Sequence, residues 1–324
     1  MASSKKIAVF PAAGKLGTSF YTHLSQIVSP ERLILISRHP EKISKSLTDA
    51  GAEVRKADYD APESLNDVFE GASYLFLISY PSIQIDHRFN AHRQAINAAL
   101  KTSPGIEHIF YTSLGFGGDG NPESKAYVMQ AHLKTEAFLK SLVASKPSLT
   151  FTSIREGIYS ETYTMYTSFI DLTDPSDSIR IPHDGSGPGI AWVKIDELGE
   201  ASAKLVKEFT EDPTSSQYKN RIVILTGPKD YSFREVASIL SKIAGKQIRV
   251  EQVTEEEHST NPAVVKVMGA DQGTAAAWTT VFGAVRAGEN SVVNGELERL
   301  LGREAEGFET TVRKSLAEGT WVRR

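Results

Sequence analysis

Apolar residues along this chain fall into short solid blocks, Ile7-Ala8-Val9-Phe10, Leu33-Ile34-Leu35-Ile36, Tyr74 to Ile78, His108 to Ser113 and Arg221 to Thr226, and a further strand of mixed pattern, Leu149 to Arg155. Blocks of this length without polar alternation predict parallel strands buried on both faces. Between them the spacing turns helical. Leu16, Phe20, Leu24 and Ile27 mark one face of a helix from Gly14 to Ile27. Further helices are expected over Pro40–Ala50, Pro62–Phe69, Phe89–Thr102, Ser124–Ser145 and Trp192 to about Phe209, with a short strand over Glu53–Ala57. Strands alternating with helices predict an α/β protein with a doubly wound parallel sheet.

The C-terminal third reads differently. Helices dominate from Ser232: Phe233–Ala244, Pro262–Met268, Gly273–Ala287, Leu297–Leu301 and Phe308–Leu316, with one strand over Gln247–Val253. The expected division is a nucleotide domain over 1–155, completed by about 190–228. A smaller α+β substrate-binding or lid domain would be formed by 156–189 and 229–324. Thr162–Gly189 reads as irregular, and its turn cluster His183–Gly189 as a loop. The glycine-rich stretch Gly115–Asn121 reads as a flexible connector or a substrate lid, with Asn121 or Ser124 capping the helix behind it.

Composition narrows the function classes. A chain of 324 residues buries a large core. Its net charge of −4 and the lack of any basic block argue against nucleic acid as a partner. No cysteine is present, which excludes disulfides, thiolate catalysis and cysteine metal sites, and no metal site is expected. The lead Met1-Ala2-Ser3-Ser4-Lys5-Lys6 is short and charged, and no apolar run approaches membrane-spanning length. A cytoplasmic protein acting on a small molecule, as monomer or homodimer, is the expectation.

The chemistry begins at the first strand–helix turn, Pro11-Ala12-Ala13-Gly14-Lys15-Leu16-Gly17. A strand, a glycine turn and a helix N-terminus present free N–H groups and a positive dipole end to a pyrophosphate. Pro11, Ala13, Gly14, Lys15, Leu16 and Gly17 are therefore candidate cofactor contacts. Pro11 stands where such turns usually open with glycine; it fixes φ and removes one donor, so the turn must close differently. The second strand ends in Ser37-Arg38, with no acidic residue at its tip. An arginine there accepts the 2′-phosphate of NADP, whereas a carboxylate binds the 2′-hydroxyl of NAD. One charge-assisted contact of ~1.5–3 kcal/mol gives a preference of roughly ten- to hundredfold for NADP(H). Asp58 and Tyr59 close the third strand, Ser79 and Tyr80 the fourth, and Ser113 the fifth, so all five are placed at the ligand crevice.

These pieces, taken in order, resemble the NmrA-like family of atypical short-chain dehydrogenases/reductases, and most closely its NADPH quinone-oxidoreductase branch. The resemblance spans nearly the whole chain. It rests on the Gly14/Gly17 turn, Ser37-Arg38 with Pro40 and Lys42, Ala57-Asp58-Tyr59, His92-Arg93 with Ile96-Asn97-Ala98-Ala99, and Tyr111-Thr112-Ser113-Leu114. It continues through His132 with Thr135-Glu136, Arg155-Glu156-Gly157-Ile158-Tyr159-Ser160-Glu161, and Ile195-Asp196-Glu197. It implies a Rossmann-type nucleotide domain, a smaller C-terminal domain and NADP(H) as cofactor.

Typical members of the wider superfamily use a tyrosine four residues before a lysine, and none of the eleven tyrosines here has that lysine. The resemblance instead places His132 near the nicotinamide ribose, where a histidine serves as acid or base. Where the quinone-reductase branch reads Arg-Asn-Gly, this chain reads Arg155-Glu156-Gly157. A carboxylate at that strand end, with its proton affinity raised by desolvation, performs proton transfers that asparagine cannot. The plainer alternative is a glutamate paired with Arg155 or a lysine. Tyr159 is expected near the nicotinamide or substrate, with Tyr80, Tyr127 and Tyr163 as weaker pocket candidates. Three functions follow: an NADPH-dependent reductase of a small conjugated carbonyl, imine or quinone; a non-redox cyclase or isomerase of secondary metabolism, such as a Pictet-Spengler-type ring closure, using Glu156; or an NAD(P)-sensing regulator without turnover.

Overall fold

Each apolar block becomes a strand. The computed structural model describes residues 5–214 and 216–319, so Met1–Ser4 of the N-terminal lead lie outside the described residues. The chain runs β1 (Lys6–Phe10), α1 (Lys15–Ile27), β2 (Leu33–Ser37), α2 (Lys45–Asp49), β3 (Glu53–Lys56), β4 (Ala72–Leu77), α3 (Ile85–Ala99), β5 (His108–Leu114), α4 (Gln130–Ser145) and β6 (Thr150–Glu156). It continues with β7 (Ser178–Ile181), α5 (Ile195–Glu211), β8 (Arg221–Leu225), α6 (Phe233–Ala244) and β9 (Arg249–Gln252). Helices Glu255–Ser259, Pro262–Val267, Gln272–Thr279, Val281–Arg286, Glu296–Leu301 and Phe308–Ala317 complete it.

The main sheet has the order β3-β2-β1-β4-β5-β6-β8, with the pairs from β3 through β6 all parallel. The order reverses between β1 and β4, so their C-terminal ends open the crevice where such folds bind ligands. Alternate residues of each strand serve opposite layers. Ala8, Phe10, Leu75, Leu77, Ile109 and Tyr111 enter one core with α3 and Leu139 of α4. On the other face Phe76 stacks on Phe20 of α1 at 3.6 Å, and Phe110 and Tyr74 meet Phe209 of α5. Leu33 to Ile36 are fully buried, as a central parallel strand requires. The mixed α/β, Rossmann-type architecture is the expected one.

Several local expectations fail for identifiable reasons. Pro40–Ala50 is a 3-10 turn, Pro40–Lys42, followed by the five residues of α2. Pro62–Phe69 holds only a 3-10 turn to Leu65, because Asn66 is extended and Asp67 has φ +57°. The helix expected from Ser124 starts at Gln130, and that expected from Trp192 starts at Ile195. Within the region read as irregular, Ser160–Tyr166 forms a 3-10 helix and β7 pairs with β9 in a small parallel sheet.

The chain divides into two compact units. One contains residues up to Leu114, Ala131–Glu156 and Ile195–Val223; the other contains Gly115–Gln130, Gly157–Lys194 and Ile224 onward. Gly115–Gln130 is held inside the second unit. The Glu289 carboxylate accepts from the Gly117 N–H at 2.9 Å, the Lys125 N–H at 2.8 Å and the Ser124 hydroxyl. Asn290 donates to the Gly115 carbonyl at 3.0 Å. Neither expected cap forms: Ser124 is engaged by Glu289, and Asn121 Oδ1 accepts from the Glu123 N–H in a local turn.

Candidate functional site

The first unit builds its site from the strand ends. Gly14, with φ +133°, precedes α1 in a conformation that favours glycine. The start of α1 has no side-chain cap and no acidic residue in its first turn, so no side chain competes for its leading N–H groups. Gly17 lies against the turn: a Cβ there would sit 2.3 Å from the Ala12 carbonyl oxygen and 2.8 Å from that of Pro11. The turn closes around Pro11 with a cis Phe10–Pro11 bond. The Ala12 N–H donates to the Ile36 carbonyl of β2 at 2.7 Å, tying the turn to the neighbouring strand end. Ala13 is half-buried and Leu16 buried beneath it.

Two cations border this cradle. Lys15 and Arg38 are exposed and make no hydrogen bond or ion pair among the described residues. Ser37 is buried, and its hydroxyl accepts from the His39 N–H at 3.0 Å, shaping the bend that presents Arg38. Asp58 forms a tight turn with Ala61, its carboxylate accepting from the Asp60 N–H at 3.1 Å. Tyr59 is buried against Phe10, and its hydroxyl donates to the Ile78 carbonyl at 2.8 Å. Its pKa is pushed far up by burial, so it stays a phenol. Tyr80 packs edge-on to Tyr59, and its hydroxyl donates to Asp60 at 2.7 Å. Desolvation, then that bond, push its pKa up to about 12.

Beneath Ser79 and Tyr80 lies a buried network that joins His92, Arg88 and Thr135 to residues already singled out in the sequence. The Ser79 N–H donates to Thr112 Oγ1, and its hydroxyl accepts from Arg88 Nε, both at 3.0 Å. His92 Nε2 accepts from the Tyr80 N–H at 2.9 Å. Burial, and then the Arg88 charge, hold the His92 pKa well below the usual value. The ring is therefore neutral and carries its proton on Nδ1, which donates to Thr135 Oγ1 at 2.9 Å. Tyr111 bonds His132 Nδ1 at 2.9 Å. His132 is 1% exposed, and burial holds it neutral too; its Nε2 has no protein partner among the described residues. Arg88 is the member of this network to which sequence reasoning gave no part.

Ser113 is buried, and its hydroxyl donates to Glu136 Oε1 at 2.8 Å. Glu136 also accepts from Ser153 at 2.9 Å and, in bidentate fashion, from Arg155 at 3.0 and 2.8 Å. This buried pair fixes α4, with His132 one turn earlier, to β6. Glu156 is the last residue of β6, opposite Leu114 and 2% exposed. Tyr159 belongs to the second unit, half-buried at the start of the Ser160–Tyr166 turn, where it bridges to Val193. The first unit thus contains the other main candidates, and the second contains Tyr159 and the weaker candidates Tyr127 and Tyr163. Tyr127 is exposed, and Tyr163 buried, within the second unit. Among the described residues no group of three or more histidine, aspartate or glutamate side chains is arranged to hold a metal ion, and no helix is long and apolar enough to cross a membrane.

A glycine turn and an uncapped helix start on a 3-2-1-4-5 sheet define a Rossmann-type fold, and residues 3–291 match the NmrA-like family. The chain belongs to that family. It is 28% identical over 315 residues to the NmrA-like family domain-containing oxidoreductase flvB of Aspergillus flavus, covering 96% of this chain and 95% of the relative. It is also 28% identical over 269 residues to quinone oxidoreductase 2 of Escherichia coli, covering 83% and 84%. The crystal structure of Citrobacter sp. triphenylmethane reductase complexed with NADP(H) matches with a TM-score of 0.74 at 27% identity, over 95% of this chain and 99% of that one.

Proposed function

We propose that the protein is an NADPH-dependent reductase of a small conjugated carbonyl, imine or quinone. The observation that carries this reading is the cradle: an uncapped helix start, a glycine position with no room for a Cβ, and two uncommitted cations beside it. These fit a phosphorylated dinucleotide. The α1 N–H groups and Lys15 would hold the pyrophosphate, and Arg38 the 2′-phosphate. The presence of NADP(H) in the triphenylmethane reductase structure supports the same cofactor here.

When bound, NADPH supplies the hydride. The chain's own residues then position and protonate. The His92–Thr135 and Ser79–Thr112 bonds fix the strand end beside the crevice, and Tyr59 and Tyr80 wall it. His132, held neutral, serves as a hydrogen-bonding group at Nε2 rather than as an acid. Glu156 is the proton donor to the reduced substrate.

The test is direct. The full chain is incubated with NADPH and a panel of quinones, enals and imines while absorbance of the reduced nicotinamide is followed. Consumption that falls at least tenfold in Glu156→Gln, with NADPH affinity unchanged, is the expected result. Product formed without cofactor oxidation overturns the redox step in favour of ring closure. Tight NADP binding without any turnover overturns the enzyme reading.

A further inference from the structure

In the second unit three extended segments lie side by side: Gly157–Ser160, Ile190–Val193 and Leu225–Gly227. The Gly157 N–H donates to the Leu225 carbonyl at 2.7 Å, the Ser160 N–H to Val193 at 2.8 Å, the Val193 N–H to Ile158 at 3.0 Å, and the Gly227 N–H to Ala191 at 3.3 Å. The approach is close enough that a Cβ on Gly227 would meet the Trp192 carbonyl oxygen at 1.7 Å. This brace fixes the side chains it carries.

Four of those side chains, or of the turn that follows, bury a polar atom with no partner among the described residues: Ser160 Oγ, Tyr163 Oη, Trp192 Nε1 and Thr226 Oγ1. Ser160 and Trp192 are fully buried, and Tyr163 is 1% exposed. Native folds leave such atoms unpaired only rarely, because each forfeits its hydration without a replacement. Three on one small brace and a fourth on the turn that follows mark a place built for a partner other than the chain. The surroundings are aromatic. The Trp192 ring lies 5.0 Å from Phe308 and edge-on to Tyr166 at 5.4 Å, and Tyr163 packs edge-on to the same Phe308 at 6.1 Å.

We propose that this brace is the substrate-recognition site of the second unit. Trp192 Nε1–H and Tyr163 O–H donate to acceptor oxygens on a flat conjugated ring packed among these aromatics. The chemistry of the atoms selects the ligand. Indole N–H donates only, and burial raises the Tyr163 pKa, so the phenol keeps its proton. Two donors and two adaptable hydroxyls with no charged member suit an uncharged ligand rich in carbonyl oxygen. A quinone or conjugated ketone meets that description, and an ammonium ion or a carboxylate does not. The proposal rests on the reductase reading for calling this ligand a substrate, but not for its binding.

The experiment measures binding of 2-methyl-1,4-naphthoquinone to the full chain by equilibrium dialysis, with 2-methylnaphthalene as the oxygen-free control. Tyr163→Phe, which removes a single oxygen, and Trp192→Phe should each weaken quinone binding about tenfold. The hydrocarbon should bind as before, and NADPH affinity should stay constant. In turnover the loss should appear in KM, with kcat within about twofold. Ligand-free Tyr163→Phe should unfold at the same or a higher temperature, since the orphaned oxygen is gone. Unchanged quinone affinity in both variants, or no quinone binding by the native chain, overturns the proposal. Quinone binding that the variants lose, in a chain that never oxidises NADPH, sustains this site and refutes the reductase reading.

Discussion

Glu136→Gln is the most informative single change in the first unit. The carboxylate is 2% exposed and accepts four hydrogen bonds, two from the fully buried Arg155 and one each from Ser113 and Ser153. Glutamine keeps the volume but removes the charge, and its amide nitrogen turns a donor toward groups that already donate. The Arg155 guanidinium then loses its bidentate carboxylate inside the protein. Removing one partner of a buried pair costs about 3–5 kcal/mol, a large share of the roughly 5–15 kcal/mol that stabilises a domain. Urea unfolding should show a lower midpoint with an unchanged slope. Glu136→Leu combined with Arg155→Met should cost less than either single change, because two desolvated charges leave together. A cost below about 1 kcal/mol for Glu136→Gln, or single costs that simply add, would refute the idea that this pair pins α4 to β6.

Three further outcomes follow from the geometry. Gly17→Ala places a methyl 2.3 Å from the Ala12 carbonyl, so the turn must shift. NADPH affinity measured by calorimetry should drop at least about tenfold, with ~1–3 kcal/mol of stability lost, and an unaltered dissociation constant would contradict the cradle. Burial lowers the His258 pKa from 6.5 to about 4, so the folded state keeps it neutral while the unfolded chain binds a proton. Its contribution is complete above pH 6.5 and is lost as pH falls toward 4, a total of about 3 kcal/mol. Between pH 7 and 5 unfolding measurements should lose about 2 kcal/mol that His258→Gln no longer shows, and equal slopes for the two proteins would count against it. Glu289→Ala removes three acceptor contacts from Gly117, Ser124 and Lys125. Amide hydrogen exchange across 115–130 should accelerate at least tenfold while β1 and β4 keep their protection; unchanged exchange in that segment would show that the latch does not hold it.

What the sequence made legible was local. Solid blocks such as Leu33–Ile36 could only be strands covered on both faces, and the Leu16, Phe20, Leu24 stripe could only be a helix lying on them. Gly14, Gly17 and Arg38 sit within one βαβ unit, so spacing alone placed them at adjacent strand ends. The failures share a different cause. Nothing near Ser124 announces that Glu289, some 165 positions on, holds its hydroxyl and delays the helix to Gln130. Ser178–Ile181 is four residues long and becomes a strand only through β9, about 70 positions later. Arg155 read as a neighbour of Glu156, but its bidentate partner is Glu136, on another element. Trp192 read as the opening of a helix that instead starts at Ile195, and nothing near it signalled the aromatic neighbours Phe308 and Tyr166.

The titration states at the strand ends narrow the chemistry further. Burial holds His92 and His132 neutral and keeps Tyr59, Tyr80 and Tyr111 protonated. All five keep one charge state near neutral pH. They serve as fixed donors and acceptors, and their order is what lets a cradle keep its shape. Glu136 is committed to Arg155 and Asp60 to Tyr80. Under the proposed reductase reading, Glu156, closing β6 where the resemblance leads one to expect asparagine, is the proton donor. That reading makes a sharp demand on the pH profile: one carboxyl group should govern turnover, and Glu156→Gln should remove that limb without moving the stability loss traced to His258.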